Sequence, residues 1–348
     1  MIIFDENGKI DILSMTFDEL SGKIEELGEK KFRASQLYEW LHVKRVCEFD
    51  KMSNLSVQFR TKLKEIFCIK SLFIVKRLES NTDNTLKYLY RLSDGSHIES
   101  VLMDYNHGTT ICVSTQVGCK MGCNFCASTI AGFRRDLLPS EILLQIYTAQ
   151  RDSGRNIGGA VLMGIGEPLD NYDNVVCFLS LLSSDKGMNM SLRHVSVSTC
   201  GLVPRIRELA SLRLGITLSI SLHATDDETR SSIMPVNKKY SIEELLDACR
   251  YYFETTGRRI SFEYALIDGV NDSHENAKAL ASLLGGFICH VNIIPVNKIE
   301  ERSYTSSRKN AGRFMRELNE LGINATVRRT LGADINAACG QLRREYEI

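Results

Sequence analysis

The chain has 348 residues, room for one barrel-sized domain and a smaller one, and its 43 Lys and Arg balance 43 Asp and Glu to a formal net charge of zero. With 43% hydrophobic and 25% charged residues it has the make-up of an ordinary globular protein, which excludes disorder, collagen-like repeats and low complexity. An odd count of 11 cysteines, a start without basic leader or signal-like apolar stretch, and no membrane-length apolar run argue against a secreted disulfide scaffold or a membrane protein, and for a reducing, cytoplasmic setting.

Residues 1 to about 90 are expected to form a helical accessory domain. Apolar residues recur every three or four positions in Thr16 to Leu27, Ser35 to Val46 and Leu55 to Phe67. Thr16 followed by Glu19 fits a capping box, and Ser35 is a start signal for the second helix. A strand-rich stretch around Lys87 to Met103 joins this domain to a core that occupies residues 91 to 348.

From about residue 105 strands alternate with helices, which implies parallel strands joined by crossover helices. The expected strands are Ile111 to Val117, Ala160 to Met163, His194 to Ser198, Ile216 to Leu222, Ile260 to Leu266, His290 to Pro295 and Ile323 to Arg328. Helices are expected at Ser140 to Arg151, Val203 to Leu212, Ile242 to Thr255 and Glu275 to Leu284. Successive side chains of a strand face opposite sides of the sheet, so Thr217, Ser219, Ser221 and His223 share one face and Ile216, Leu218, Ile220 and Leu222 the other. The same split separates Val195 and Val197 from Ser196 and Ser198, and Ile111, Val113 and Val117 from Cys112, Ser114 and Gln116. A closed eight-stranded barrel fills its interior with bulky apolar side chains. Polar inner faces on three strands therefore predict an α/β fold of another kind, a partial (β/α) barrel whose lumen holds a polar ligand. Ligands of parallel α/β folds sit at the C-terminal strand ends.

Three cysteines, Cys119-x-x-x-Cys123-x-x-Cys126, follow directly on the first of these strands. Three thiolates can hold a cubane iron-sulfur cluster and leave its fourth iron open, since such clusters ordinarily take four cysteines. A structural zinc site wants four tetrahedral ligands, often as two Cys-x-x-Cys knuckles; no second knuckle exists here, although Cys112 stands seven residues upstream. Gly164-Ile165-Gly166-Glu167-Pro168 closes the next strand, and its carboxylate can accept hydrogen bonds from an ammonium group. Ser198, Ser221, His223 and Asn297 fall at further strand ends, where their polar side chains can hydrogen-bond a ligand. Cys339 lies among the small residues Ala337, Ala338 and Gly340. Zero net charge leaves any RNA contact to local patches such as Lys30-Lys31-Phe32-Arg33, Arg134-Arg135, Arg328-Arg329 and Arg343-Arg344, each of which alone reads as a solvated face.

The cysteine spacing resembles the signature of the radical S-adenosylmethionine (SAM) superfamily, in which the methionine end of SAM chelates the open iron and reductive cleavage yields a deoxyadenosyl radical. Phe32-Arg33-Ala34, Gln116-Val117-Gly118-Cys119, Gly166-Glu167-Pro168-Leu169-Asp170-Asn171, Ser221-Leu222-His223, Ile294-Pro295-Val296-Asn297 and Asp334 to Leu342 together resemble the RlmN-type radical SAM RNA methyltransferases across nearly the whole chain. That resemblance implies methylation of adenosine carbon 2 in 23S rRNA at the peptidyl transferase centre and in certain tRNAs just 3′ of the anticodon. The sister activity, methylation of carbon 8, is the alternative. The resemblance further implies one 4Fe-4S cluster on Cys119, Cys123 and Cys126, and two SAM per turnover, bound by Gly166, Glu167, Ser198, Ser221, Leu222, His223 and Asn297. Cys339 would carry the methyl group, Cys112 would resolve the protein-RNA adduct by forming a disulfide with Cys339, and Glu99 would accept a proton. An electron donor such as a flavodoxin or ferredoxin is implied as partner, with the enzyme itself expected to be a cytoplasmic monomer. The chemistry agrees: carbon 2 of adenine is electron-poor and no nucleophile, whereas a thiolate takes a methyl group readily.

Overall fold

The computed structural model describes residues 2–106, 108–296 and 304–337. Its N-terminal part holds three short helices, α1 (Phe17–Glu26), α2 (Phe32–Tyr38), which runs on into a π turn at Glu39–Val43, and α3 (Val57–Ile66). The expected capping box is present, with Glu19 N–H on Thr16 Oγ1 and the Glu19 carboxylate taking the Thr16 N–H at 2.9 Å. The second helix begins at Phe32, three residues before the expected Ser35, because Ala34 and Leu37 bury the same face and carry the helix back through Ser35.

Residues 73–79, read from the sequence as the tail of the helical segment, are a strand, and the expected strand-rich stretch around Lys87 to Met103 holds the next two strands. They open a ten-stranded sheet made of β1 (Phe73–Glu79), β2 (Leu86–Arg91), β3 (His97–Tyr105), β4 (Gly108–Cys112), β5 (Ile157–Leu162), β6 (Val195–Thr199), β7 (Thr217–Ser221), β8 (Ile260–Leu266), β9 (Cys289–Pro295) and β10 (Ala325–Val327). Spatial order follows chain order from β1 to β10. The first four strands pair antiparallel, and from β4 onward every neighbouring pair is parallel. The strand-rich stretch expected around Lys87 to Met103 is β2 and β3, and β1 is the strand that the sequence pattern missed: Phe73, Ile74 and Val75 are exposed in succession, without the alternation by which a half-buried strand is recognised.

Six crossovers join the parallel strands, carried by α4 (Pro139–Ser153), α5 (Tyr172–Ser183), α6 (Val203–Ser211), α7 (Asp227–Ile233) with α8 (Ile242–Thr256), α9 (His274–Leu284) and α10 (Arg308–Glu320). Described residues from β4 to β10 therefore form an open (β/α) barrel, as the polar inner faces predict. The first strand stops at Cys112 and resumes as Gln116–Val117, paired with Arg135–Asp136. Between them Val113 N–H bonds Val161 O and Gly164 N–H bonds Val113 O, both at 3.0 Å, so the chain stays extended while it exchanges partners.

One apolar core runs through both parts of the molecule, from Ile12, Leu20, Leu37 and Leu63 to Ile142, Leu179, Leu218 and Val291. Full burial of each such side chain is worth roughly 1.5–3 kcal/mol. Helix α4 is buried over almost all its length because the sheet covers one side and the N-terminal helices the other. Two polar contacts fix that docking: Ser140 Oγ donates to Asp11 Oδ2 (2.5 Å), and His42 Nδ1 lies 3.0 Å from Tyr147 Oη. The stretch after β10 returns to the opposite edge of the sheet. There the Asp334 carboxylate accepts from Ser80 Oγ (2.7 Å) and Asn81 N–H (2.9 Å), and Gly332 N–H bonds Asp83 Oδ2 at 2.8 Å.

Candidate active site

The C-terminal ends of the parallel strands surround a cavity of about 280 Å³, near the lower bound of the roughly 300–1,000 Å³ usual for small-molecule sites. Cys119, Cys123 and Cys126 line it on one side, Gly166 and Glu167 on the next, then Ser198, Ser221, His223 and Glu263. The structure thus brings together eight of the residues singled out in the sequence. Asn297 and Cys339 lie outside the described residues.

Backbone crowding shapes the cysteine loop. Gly118 has φ +80°, and a Cβ there would stand 1.7 Å from Gly132 O, so only glycine permits the loop to cross itself. Thr129 Oγ1 donates to the carbonyls of Cys123 (3.2 Å) and Cys126 (2.9 Å), and Asn124 N–H bonds Ile233 O (2.8 Å), tying the loop to α7. Gln116, fully buried, joins this loop to the glycine-glutamate turn. Its Oε1 accepts Glu167 N–H and its Nε2 donates to Asp136 and Asp170, all at 2.8 Å. Gly166 (φ +110°) is demanded by the same packing, since a Cβ would come within 2.6 Å of Gln116 Cβ. The protein itself, before any ligand, requires glycine there.

Glu167 is 4% exposed, and burial raises its pKa against the hydrogen bonds that lower it. Those bonds come from Cys200 N–H (2.7 Å) and Leu169 N–H (3.0 Å), one to each carboxylate oxygen. His223 has φ +59°, a left-handed conformation that non-glycine residues hold only where the surroundings enforce it. Ala265 N–H donates to its Nδ1 at 2.8 Å, and the edge of Phe125 meets the ring at 4.9 Å between centroids. Burial lowers the His223 pKa to about 3, so the ring is neutral, and with Nδ1 accepting, its proton is on Nε2. Leu222 contributes framework: its side chain is in the core, and its N–H and carbonyl bond Glu263 O and Arg230 Nε.

Sequence reasoning missed two residues. Arg230, wholly buried on α7, spans the strand ends behind the cavity: Nε bonds Leu222 O (3.0 Å), one terminal nitrogen Asn237 Oδ1 (2.9 Å), the other Cys200 O (2.7 Å) and Ser221 O (3.1 Å). A lone Arg in a short helix carries no pattern that announces this. Glu263 faces the cavity from β8, accepting from Asn292 Nδ2 at 2.8 Å and Ser261 Oγ at 3.2 Å, and burial raises its pKa. The alternation of Ser261 and Glu263 with Phe262 and Tyr264 was its available signal.

Cys112 and Glu99 are not among the residues that line the described cavity, although Met163, which does, packs against the group that holds Cys112. Cys112 is in an apolar group with Val101, Met103 and Ala337, where burial pushes its thiol up to about 11. Glu99 is no surface residue: it is buried on β3 and ion-paired to Lys87 at 3.0 Å. Among the basic patches, Arg135 is engaged internally by both oxygens of Glu141 (2.7 and 3.0 Å) and by Asp94 (2.7 Å). Lys30, Lys31 and Phe32 are exposed, and Arg328 lines the cavity. Arg343 and Arg344 lie outside the described residues.

The donor set fits an iron-sulfur cluster with a small-molecule ligand. Three thiols and a buried carboxylate share the lining of the cavity, and the Ser128 hydroxyl just beyond Cys126 is buried with no partner among the described residues. No three His, Cys, Asp or Glu side chains among the described residues gather as ligands of a single metal ion. A zinc would need such convergence, whereas a cubane takes each thiolate at a separate corner.

Comparison with known proteins decides the family. Residues 10–69 match the ribosomal RNA large subunit methyltransferase N-terminal domain, and residues 113–281 match the radical SAM superfamily. Proteins named "Probable dual-specificity RNA methyltransferase RlmN" from Lachnospira eligens and Clostridium novyi are 54% and 52% identical to this chain over 337 residues. Each alignment covers 97% of this chain, with 96% and 98% of those proteins. The chain belongs to the RlmN family. It is a radical SAM RNA methyltransferase, and the RlmN assignment takes precedence over the carbon 8 alternative. A crystal structure of a radical SAM methyltransferase from Sphaerobacter thermophilus superposes with a TM-score of 0.91 at 42% identity, covering 95% of this chain and 98% of that one. The RlmN family implies a 4Fe-4S cluster and SAM, which the cavity's donor set suits. No described helix is long and apolar enough to cross a membrane.

Proposed function

We propose that this enzyme methylates carbon 2 of an adenosine in 23S rRNA and of the adenosine 3′ to the anticodon in some tRNAs, through a methyl group carried on Cys339. When bound, the cluster and SAM supply a methyl group and a hydrogen-abstracting radical. Cys119, Cys123 and Cys126 would hold the cluster. Glu167 would take the SAM ammonium group, with Gly166, Ser198, Ser221 and the Nε2–H of His223 around the rest of the molecule, one SAM for each of the two roles.

The observation that carries this reading is the apolar contact group that holds both Cys112 and Ala337. Ala337 is two residues from Cys339, and two residues span at most about 7 Å of chain, which supports an encounter between the two sulfurs. In the proposed sequence hydrogen is removed from the methyl group on Cys339, a carbon-carbon bond forms between that carbon and carbon 2 of the adenine, Glu99 accepts the proton displaced there, and the one electron left over would return to the bound cluster. Cys112 sulfur, as thiolate, then attacks Cys339 sulfur; a disulfide forms, the sulfur-carbon bond breaks with its electron pair on carbon, that carbon takes up a proton, and the RNA leaves methylated. A reductant such as a flavodoxin or ferredoxin would supply electrons to the cluster, and a thiol reductant would reopen the disulfide. The target adenine must be unstacked to enter the lumen. The helical N-terminal part, with exposed Lys30, Lys31 and Phe32, is proposed to contact RNA, and the enzyme to act as a cytoplasmic monomer.

The test is anaerobic reconstitution with methyl-deuterated SAM, reductant and a 23S rRNA fragment, followed by mass spectrometry of the Cys339 peptide and of digested RNA. Label on Cys339 and in 2-methyladenosine is the expected result. SAM cleavage that leaves both unlabelled overturns it, and 8-methyladenosine in the digest overturns the assignment to carbon 2.

A further inference from the structure

Lys87 is a buried cation outside the cavity lining, which the chemistry above does not use. It lies on β2, in register with Val101 of β3, which is itself in register with Cys112 of β4. The three side chains therefore stand in one lateral row on one face of the sheet. Lys87 is 0% exposed, and its Nζ sits 3.0 Å from Glu99 Oε2 and donates to Asn336 O at 2.9 Å. A single ammonium group thus bridges Glu99 and the backbone three residues before Cys339. Ala337, the next residue, packs into the group that contains Cys112.

Burying an ammonium group is costly unless it is paired and hydrogen-bonded, and a stem with this much rotamer freedom does not hold one geometry without firm partners. The carbonyl of Asn336 is one such partner, and Asn336 holds φ +46°, a left-handed turn that aims the chain at this point. Asp334 and Gly332 clasp the β1–β2 turn just before it. The clasp fixes the segment's place along the sheet edge, while Lys87 fixes its depth in the lumen.

We propose that Lys87 is a positioning residue that ties Glu99 to the segment bearing Cys339, so that proton acceptor and methyl carrier are held in one frame on the Cys112 side of the lumen. This rests on the roles given above to Cys339, Cys112 and Glu99. Lys87 is not among the residues that line the described cavity. It would therefore act after SAM is bound and cleaved, at transfer to the adenine.

Lys87→Met in the full chain, reconstituted with iron and sulfide, is the test. Iron content, reductive SAM cleavage and deuterated methyl on Cys339 should match the parent enzyme within about twofold. The kcat for RNA methylation should fall about 10- to 100-fold, the scale of misplaced reacting groups, with KM for RNA unchanged. Limited proteolysis should cut residues 331–337 faster. Parent-like kcat together with parent-like protection overturns the proposal. If Lys87→Met does not fold, the double variant Lys87→Met/Glu99→Gln removes both buried charges and is compared with Glu99→Gln alone. Faster cleavage at 331–337 in the double variant supports the tie; equal cleavage overturns it. Should the parent enzyme leave Cys339 unmethylated, the reading of Cys339 fails on its own, and the proteolysis still decides whether Lys87 holds the segment.

Discussion

Replacing Arg230 by Met tests whether the ends of β6 and β7 are held from behind. The guanidinium serves three backbone carbonyls, Cys200, Ser221 and Leu222, and Asn237 Oδ1, all within 2.7–3.1 Å. Each buried acceptor left without its donor costs about 1–3 kcal/mol. The variant no longer has to desolvate a charge, which offsets part of that loss. Removing one side of a buried charged network ordinarily nets about 3–5 kcal/mol. For a chain of this size roughly 2–4 °C of melting temperature goes with each kcal/mol, so a drop of about 6–20 °C is expected. Ser221 and Cys200 flank the proposed SAM site, one as lining and the other as the N–H donor to Glu167. Loss of such supporting contacts ordinarily weakens a site about 10- to 100-fold. Differential scanning fluorimetry and equilibrium SAM binding on the reconstituted enzyme measure both. A melting temperature within 2 °C of the parent together with SAM affinity within about twofold would refute the reasoning.

Cys119→Ala, Cys123→Ala and Cys126→Ala should each lose iron and SAM cleavage, measured by iron analysis and release of 5′-deoxyadenosine. Cys112→Ala should instead keep its iron and accumulate a protein-RNA crosslink visible on a denaturing gel; active enzyme without any crosslink removes the resolving role. His42 lies between Tyr38 and Tyr147, fully buried, and desolvation lowers its pKa to about 3. A depressed folded-state value means the neutral ring is the folded form. Its stabilisation is complete above the unfolded value of about 6.5 and is lost as pH falls from there toward 3. His42→Phe should therefore flatten the fall in melting temperature between pH 7 and 5 relative to the parent, and parallel curves would contradict this. Asp334→Ala should open the clasp on Ser80 and Asn81, seen as faster proteolysis at 331–337 and a lower yield of methylated RNA at unchanged iron content.

The parallel half of the fold was legible because its strands are half polar. Ser219, Ser221 and His223 against Leu218, Ile220 and Leu222 mark both the strand and the lumen it faces, and Ile260 to Leu266 was bounded to the residue. Residues 73–79 were illegible for the opposite reason. Phe73, Ile74 and Val75 are exposed in succession, so hydrophobicity tracks neither period. The cysteine loop and the glycine-glutamate turn could be read because their chemistry lies in residue types at short spacing. Arg230 and Lys87 could not, since each acts on carbonyls or carboxylates distant in sequence, and a carbonyl bears no residue label. Gln116 was visible as part of a motif, but its bridge to Asp136, Glu167 and Asp170 appears only once three loops meet.

The clasp between the stretch after β10 and the β1–β2 turn has a consequence for biosynthesis. Every described strand and all three loop cysteines precede it in the chain, so a growing polypeptide can pair those strands and form the cysteine loop before the two sheet edges are clasped. The bonds from Gly332 and Asp334 to the β1–β2 turn can form only after β10 has been made. A chain without residues 331–337 would keep its described strands and its cysteine loop, yet lose every bond that clasps the β1–β2 turn to the stretch after β10.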